Sequence, residues 1–419
     1  MADFRPFGAI HYDVARIGGL ADVVAPPYDV ISPEAAARLY ARSSFNIVRL
    51  ILNREDDPHT AAARELRSWL TDGVLIEDPR PALFFYSQTF EVASHGRRQR
   101  DGIIGVLRLE EFGSGCVFPH ELTHPGPKAD RLGLMRACQA NLSPIFGLVS
   151  HLGVTFRDVV GSAVRGGPAV DLLDDDGVQH QLWPITDPAL FSMVASLVKE
   201  EPVVIADGHH RYETALEFRD QMRRAHPGAG PDAPFESVLT CLSNIDEPGL
   251  VVLPTHRILP AARPADVRET IAGLGGTFDV KTYRTVQWTP FADEIGRGAG
   301  RLIGCVLPDE LLLLTLRVGT EGLLPGRSAA TCRLSVVLLH DLVFARLPAA
   351  QVAELGYTHD DAEALATVKG GRAGAAFLVS APTAKDVRAV CLAGETMPQK
   401  STYFYPKLLS GLVLRSLAV

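Results

Sequence analysis

The chain has 419 residues, of which 47% are apolar, 21% charged and 7% aromatic. This balance is typical of a globular protein and excludes disordered, collagenous and disulfide-scaffold classes. A net charge of -8 with no basic cluster disfavours a nucleic-acid binder. With no apolar run of the ~18 residues that a membrane span needs and no signal peptide, we expect a cytoplasmic enzyme or binding protein.

The first 150 residues predict helices that flank a β-hairpin. Ser32 followed by Pro33 is typical of a helix start, because serine caps free N–H groups and proline fits the first turn. Residues 94–96 (Ser-His-Gly) form the predicted turn between two stretches rich in β-branched and aromatic residues. The predicted elements are helices at 33–40, 60–70 and 131–140 and strands at 82–92, 102–109 and 144–149.

The remaining residues alternate hairpins with strand–helix units. A second hairpin turns at residues 174–177, and a long helix is predicted with Leu334, Leu338 and Leu342 on one stripe. The other predicted helices are 188–199, 212–223, 265–274 and 384–393, and the predicted strands are 170–173, 178–185, 202–206, 236–244, 250–253, 301–306, 311–318 and 375–380. This mixture indicates an α+β fold with a mixed sheet.

The sharpest local pattern is the turn from Asp207 to Arg211, between a buried strand and a helix. A glycine turn at a helix N-terminus exposes N–H groups that favour phosphate or carboxylate. Gly208 lets an anion approach the backbone, and Arg211 can bind two of its oxygens. His209 and His210 add donors, and Asp207 can hold a cation or take a proton. Alternatively, the histidines only cap the helix and fill a polar pocket.

The segment from Gly208 to Ala215 resembles the Gly-x-x-Arg phosphate-binding box of the ParB and sulfiredoxin superfamily. In that superfamily the box opens a helix and holds nucleotide phosphates. Its free-serine kinases carry an Asp-Gly-His-x-Arg version. The resemblance implies a ParB/sulfiredoxin-like phosphate-binding core with flanking α/β segments.

Four motifs occur in order along the chain. They are residues 25–32 (APPYDVIS), His120-Glu121-x-Thr123 with Lys128, Asp130 and Arg131, residues 205–211 (IADGHHR), and residues 397–407 (MPQKSTYFYPK). With these motifs the whole chain resembles the prokaryotic family known as domain of unknown function ten-fifteen. Members are often encoded beside serine-biosynthesis enzymes, which implies phosphoserine chemistry.

His120 to His124 also reads as HExxH, the zinc-protease pattern. That chemistry needs both histidines on one helix with Glu121 as the base. Pro119, Pro125 and Pro127 oppose such a helix, because each lacks a donor and restricts the residue before it. We therefore predict an ordered loop rather than a zinc site.

In this loop, His120 and Glu121 are predicted acid–base or metal-binding groups. Lys128, Asp130 and Arg131 would begin the next helix and bind a phosphate or the substrate carboxylate. The alternative is a solvated charged loop, since loops often carry charge.

Two terminal segments complete the predicted site. Pro26 and Pro27 fix the backbone, so that Tyr28 and Asp29 lose little conformational entropy when they are ordered. Asp29 would then bind a ligand amine or cap the next helix. Near the other end, Lys400, Ser401 and Thr402 could close over a phosphate. The alternative there is an aromatic strand that docks the tail.

From these motifs we predict a phosphotransferase resembling serine kinases, which moves phosphate between a nucleotide, ATP or ADP, and the hydroxyl group of serine. Mg²⁺ held by Asp207 and Glu121 would shield the charge, and Glu121, His120, Asp207, His209 and His210 are the catalytic candidates. The alternatives are a phosphoserine phosphatase that uses the same site and a nucleotide-binding regulator. By motif, the chain divides into an amino-terminal segment (1–100), a phosphate-binding core (101–260) and a carboxy-terminal segment (261–419). We expect no nucleic-acid or membrane partner.

Overall fold

The computed structural model describes residues 1–92, 96–123, 125–150, 154–298, 300–317 and 323–419. They belong to two compact units, and the first comprises residues 1–119, 123–250 and 406–419. The second comprises residues 120–122 and 251–405. The three-part division by motif follows the sequence rather than spatial contact, and it stays a prediction.

The first unit contains twelve strands in its described part. These are β1 (Phe4–Arg5), β2 (Phe7–Tyr12), β3 (Leu75–Val92), β4 (Gly96–Arg108), β5 (Val117–Phe118), β6 (Ala140–Asn141), β7 (Ile145–Val149), β8 (Val170–Leu173), β9 (Gln179–Ile185), β10 (Val203–Asp207), β11 (Ser237–Asn244) and, after the strands of the second unit, β20 (Arg415–Ser416). Its helices are α1 (Val14–Ile17), α2 (Pro33–Arg42), α3 (Val48–Ile51), α4 (Pro58–Thr71), α5 (Pro125–Cys138), α6 (Phe156–Val160), α7 (Pro188–Lys199) and α8 (His209–Ala225).

A mixed sheet organises this unit. Its strand order is β5-β10-β7-β11-β4-β3-β9-β8, while β1 pairs with β4 and β2 with β3. The pairs β10–β5 and β11–β7 are parallel, and the neighbouring pairs are antiparallel. One apolar core joins these strands to α5, α7 and α8, and a second joins β2 and β3 to α2, α3 and α4. The predicted α+β class with a mixed sheet is confirmed.

The second unit is built on an antiparallel sheet. Its strands are β12 (Val251–Leu253), β13 (His256–Leu259), β14 (Phe278–Arg284), β15 (Leu302–Val306), β16 (Glu310–Leu316), β17 (Gly356–Thr358), β18 (Ala375–Val379) and β19 (Tyr403–Tyr405). Its α-helices are α9 (Pro264–Gly273), α10 (Trp288–Arg297), α11 (Ser335–Leu338), α12 (Ala349–Val352), α13 (Asp361–Lys369) and α14 (Ala384–Leu392). The sheet order is β14-β16-β15-β18-β13-β17, and β12 pairs separately with β19.

Most elements with strong local signals lie where the sequence predicts them. Ser32 caps α2 by accepting from the N–H of Ala35 at 3.2 Å, and Asp187 caps α7. Both predicted hairpins form, as β3–β4 and β8–β9, although Ser94 and His95 of the first turn lie outside the described residues. Among the helices of the described residues, none combines the length and apolar character needed to cross a membrane.

Two helix predictions need correction, in addition to the start of α8. The helix predicted at 131–140 begins at Pro125, because proline in a first turn lacks only an N–H that has no helical partner there. The long helix predicted around the Leu334, Leu338 and Leu342 stripe is instead α11 followed by a π-helical turn (Leu339–Val343) and a 3-10 turn (Phe344–Arg346). The stripe itself is buried, as its spacing indicates.

Candidate functional site

The turn between β10 and α8 is the centre of the candidate site. The helix begins at His209, three residues earlier than predicted, so that His209, His210 and Arg211 form its first turn. Gly208 is the N-cap, with a φ of 94°, in the left-handed region that glycine adopts at little cost. A shift in strand register between Ile205 and Asp207 marks a bulge at the end of β10. A bulge of this kind re-aims the side chains that follow it.

Gly208 has a second constraint besides its backbone conformation. A Cβ atom placed there would lie 3.0 Å from Nη2 of Arg211 and 3.1 Å from its Cζ, closer than ordinary van der Waals contact. The guanidinium group therefore lies directly against the glycine. Position 208 favours glycine both for its left-handed backbone conformation and for the space that Arg211 occupies.

Replacing Gly208 with alanine is expected to destabilise the protein by about 1–2 kcal/mol from the left-handed conformation alone, with a further loss from the contact with Arg211. Gly177 is the matched control, since its φ is 75° but an added Cβ meets nothing within 4 Å. In urea unfolding, Gly208→Ala should have a lower unfolding midpoint than Gly177→Ala. Equal unfolding midpoints for the two variants would contradict the close contact.

Asp207 joins two cationic side chains. Its Oδ1 accepts from Nζ of Lys407 at 2.5 Å, and its Oδ2 accepts from Nη2 of Arg211 at 2.7 Å. Burial by itself would raise the pKa of Asp207, but the charges of Lys407 and Arg211 outweigh it and hold that pKa well below its usual value. One carboxylate and two cations leave this group, the Asp207 cluster, with a formal charge of +1.

Arg211 is more deeply anchored than the sequence suggests. Its side chain is only 12% exposed, and besides Asp207 it donates to the carbonyl of Pro144, just before β7. The carboxylate of Asp207, at the bulged end of β10, lies within reach of the guanidinium. Of its two histidine neighbours, His209 is buried and His210 half-buried.

Tyr28 and Arg131 lie close to this cluster. The guanidinium of Arg131 is 4.1 Å from the centroid of the Tyr28 ring. Burial, reinforced by the negative charge of Asp29, raises the pKa of Tyr28 to about 12, while the cations Arg211 and Arg131 oppose the rise. Asp29 itself is exposed. The structure thus brings the predicted residues Tyr28, Arg131 and Arg211 together.

The predicted charged residues of α5 have partners of opposite charge. Nζ of Lys128 lies 2.7 Å from Oε2 of Glu213 on α8, and the hydroxyl of Thr123 donates to the same oxygen at 2.8 Å. Nε of Arg131 donates to Asp130 at 2.9 Å, and its Nη1 donates to the carbonyl of Ile51. These pairs balance the charge of the first turns of α5.

The remaining predicted residues lie in the second unit. The carboxylate of Glu121 accepts from the backbone N–H groups of Lys400 at 3.1 Å, Ser401 at 2.9 Å and Thr402 at 3.4 Å. Lys400 has a φ of 56°, and successive N–H groups around such a residue form an anion-binding concavity called a nest. His120 is fully buried and bonds the Thr402 hydroxyl at 2.8 Å. The anion in this nest is the side chain of Glu121, which backbone N–H groups hold, whereas the predicted phosphate contact involves the side chains of Lys400, Ser401 and Thr402.

The two residues predicted to hold magnesium do not fit that role in this structure. Both oxygens of Asp207 pair with cations, and both oxygens of Glu121 accept backbone N–H groups. Within the described ranges, no group of three or more His, Cys, Asp or Glu side chains could hold a metal ion.

We also predict that no tightly bound zinc copurifies with the protein. His120 to Thr123 are not helical, and α5 begins only at Pro125, so the HExxH pattern lacks the helix that zinc proteases need. His124 lies outside the described residues. Elemental analysis that found one zinc per chain, lost in a His120→Ala variant, would overturn this prediction.

Sequence reasoning missed Lys407 as a site residue. The backbone around it is fixed from within the first unit, where Arg100 donates to the carbonyl of Pro406 at 2.5 Å and Gln88 to that of Lys407 at 3.0 Å. The signal was available in the motif at residues 397–407, which ends on this lysine.

The family model described as "Protein of unknown function (DUF1015)" matches residues 4–337, and it is the family that the motifs predicted. No curated protein matches the chain. Several solved structures show distant similarity, among them the following three. A conserved hypothetical protein from Pyrococcus furiosus is 14% identical, with a TM-score of 0.35, and covers 69% of this chain and 86% of its own. Free serine kinase in complex with AMP is 13% identical, with a TM-score of 0.37 and coverages of 69% and 83%. SbnI with C-terminal truncation from Staphylococcus aureus is 12% identical, with a TM-score of 0.37 and coverages of 70% and 82%.

Proposed function

The chain belongs to the DUF1015 family, and we propose that it is a small-molecule phosphotransferase, which moves a phosphoryl group between a nucleotide and the hydroxyl group of serine. The observation that carries this proposal is the Asp207 cluster, with its net positive charge at the N-terminus of the 17-residue helix α8. A helix N-terminus and two oriented cations together favour a phosphate group.

Phosphoryl transfer asks mainly for positioning and charge neutralisation, and the cluster supplies both. Gly208 forms the left-handed turn that begins α8 and leaves space for the guanidinium of Arg211, and Arg211 and Lys407 offer charge that Asp207 only partly cancels. Because hydrogen bonds from both cations fix its carboxylate, Asp207 orients them instead of serving as the base. His209 and His210, in the first turn of α8, are then the candidate proton acceptors nearest to the turn.

In the proposed step, the phosphorus atom exchanges one bond to oxygen for another. The serine oxygen forms a bond to the terminal phosphorus of the nucleotide, and the bond from that phosphorus to the bridging oxygen breaks. The hydroxyl proton passes to the base, and the products are phosphoserine and the shortened nucleotide. No step depends on a metal held by this chain's side chains.

The test is to incubate the full chain with serine and either ATP or ADP, and to measure phosphoserine by mass spectrometry. The matched reaction contains phosphoserine and no nucleotide. Phosphoserine that forms only with nucleotide supports the kinase. Release of phosphate from phosphoserine without nucleotide, at a comparable rate, would replace the kinase with the phosphatase.

A further inference from the structure

A small cavity of about 50 Å³ lies inside the first unit beside the Asp207 cluster. Arg211 and Thr214 line it from α8, Arg131 lines it from α5, and Tyr28 lines it from the turn before α2. Because Arg211 and Thr214 are three residues apart, they lie on the same face of α8. The cavity shares Arg211 with the proposed phosphate site.

Two of these lining residues have a buried polar atom without a partner. Nε of Arg211 and Oγ1 of Thr214 are enclosed and bond no group among the described residues. Thr214 is 1% exposed, so its hydroxyl has almost no access to bulk solvent. Buried polar atoms of native proteins nearly always have a partner, and two unpartnered atoms on residues that line one cavity indicate a bound polar group.

The volume limits what this group can be. A water molecule needs roughly 10–15 Å³ of such space, so that the cavity has room for about three to five non-hydrogen atoms. A nucleotide base is too large. A carboxylate with its α-carbon and a single phosphate group are both small enough.

The walls of the cavity favour the carboxylate. Asp130 balances Arg131, whereas Arg211 belongs to a cluster with one positive charge in excess. This excess charge attracts either anion, so that the walls decide between them. Apolar side chains form much of the remaining lining, among them Leu134, Leu142 and Val238. Such walls make the desolvation of a doubly charged phosphate more costly than that of a carboxylate.

We propose that this cavity binds the carboxylate group of a small organic acid such as an α-amino acid, with Nε of Arg211 and the hydroxyl of Thr214 as donors. The reaction that the bound acid undergoes rests on the proposed function. The binding of the acid in the cavity does not. It assigns Thr214 a role in substrate specificity.

The experiment measures binding of four probes to the full chain without nucleotide, by calorimetry. L-Serine and L-alanine should bind with similar affinity, because both carry the carboxylate. L-Serinamide, which lacks it, should bind at least tenfold more weakly, since hydrogen bonds between charged groups are lost. Inorganic phosphate should not displace L-alanine.

Two variants and a control test the assignment of Thr214. Thr214→Val keeps the shape and removes the hydroxyl, and we expect it to weaken L-alanine binding about tenfold without lowering the melting temperature of the free protein. Thr214→Ile adds a methylene group to the cavity and should block binding. Thr331→Val is the control, because Thr331 is equally buried but bonds Ser328 in the second unit.

Unchanged L-alanine binding in Thr214→Val, equal binding of serine and serinamide, or binding of none of the probes would overturn the inference. Displacement of L-alanine by phosphate would also overturn it and make the cavity a phosphate site. If phosphoserine does not form with nucleotide but the carboxylate probes still bind, the proposed function fails and this inference stands.

Discussion

Replacing Asp207 with asparagine is expected to lower the free energy of unfolding by about 3–5 kcal/mol, the loss typical of breaking a buried ion pair by removing one partner. Asp207 is 14% exposed at its side chain, and Arg211 and Lys407 are each 12% exposed. Asparagine keeps the size but removes the charge, so that two buried cations lose their counter-ion. Urea unfolding of the full chain measures the change.

Asp78→Asn is the matched control for that variant. Asp78 also pairs with an arginine, Arg80, but this arginine is 83% exposed at its side chain. Water screens such a pair, and its loss should leave the unfolding midpoint nearly unchanged. If Asp207→Asn behaved like Asp78→Asn, Asp207 would not be what holds the two cations in place.

The stability difference between wild type and Asp207→Asn depends on pH, and the direction of the Asp207 pKa shift determines how. The pKa is lower in the folded protein than the unfolded value of about 3.9. The contribution of Asp207 is therefore fully present above pH ~4 and is lost as the pH falls through the folded pKa. The stability difference between wild type and Asp207→Asn should be constant from about pH 5 to 8 and shrink in stronger acid.

The sequence predicts the strand–turn–helix of the site because its signals are local. Four apolar residues before Asp207 indicate a buried strand, and Gly208 followed by a helical pattern indicates a turn and a helix. The start of α8 was misplaced by three residues, because two histidines and an arginine look like turn residues when the glycine before them is not recognised as the N-cap.

Contacts between distant residues could not be predicted in this way. Lys407 meets Asp207 across 200 residues of sequence, and that contact depends on how Arg100 and Gln88 hold the backbone of the tail. The exposed strand β14 was missed for a different reason. Most of its side chains are exposed to solvent, so that its sequence, FDVKTYR, lacks the apolar run of a buried strand.

Arg211→Gln is the second change with a large expected effect, because Arg211 serves both the Asp207 cluster and the proposed phosphate. A hydrogen bond to a charged group contributes about 1.5–3 kcal/mol. At ~1.4 kcal/mol for each factor of ten, losing it should weaken ATP binding by roughly one to two orders of magnitude. Glutamine cannot replace the planar, two-pronged donor.

The variant should also unfold at a lower temperature without ligand, since loss of the Arg211 guanidinium removes a hydrogen bond to Asp207 and another to the carbonyl of Pro144. Lower stability alone therefore does not separate a structural role from a binding role. The informative quantity is the increase in melting temperature that ATP causes in each protein. A ligand at ~100 times its dissociation constant stabilises the native state by ~2.7 kcal/mol. That gain should be much smaller in Arg211→Gln at the same ATP concentration.

Arg224→Gln, an exposed position on the same helix, is the control that should keep both the melting temperature and the ATP-induced increase. Lys407→Met provides a comparison inside the cluster, because Lys407 shares Asp207 with Arg211. If both cations face the phosphate, each variant reduces the ATP-induced increase. An increase of wild-type size in Arg211→Gln, on top of a lowered melting temperature, would make Arg211 a structural residue only, and the phosphotransferase proposal would then lose its main support.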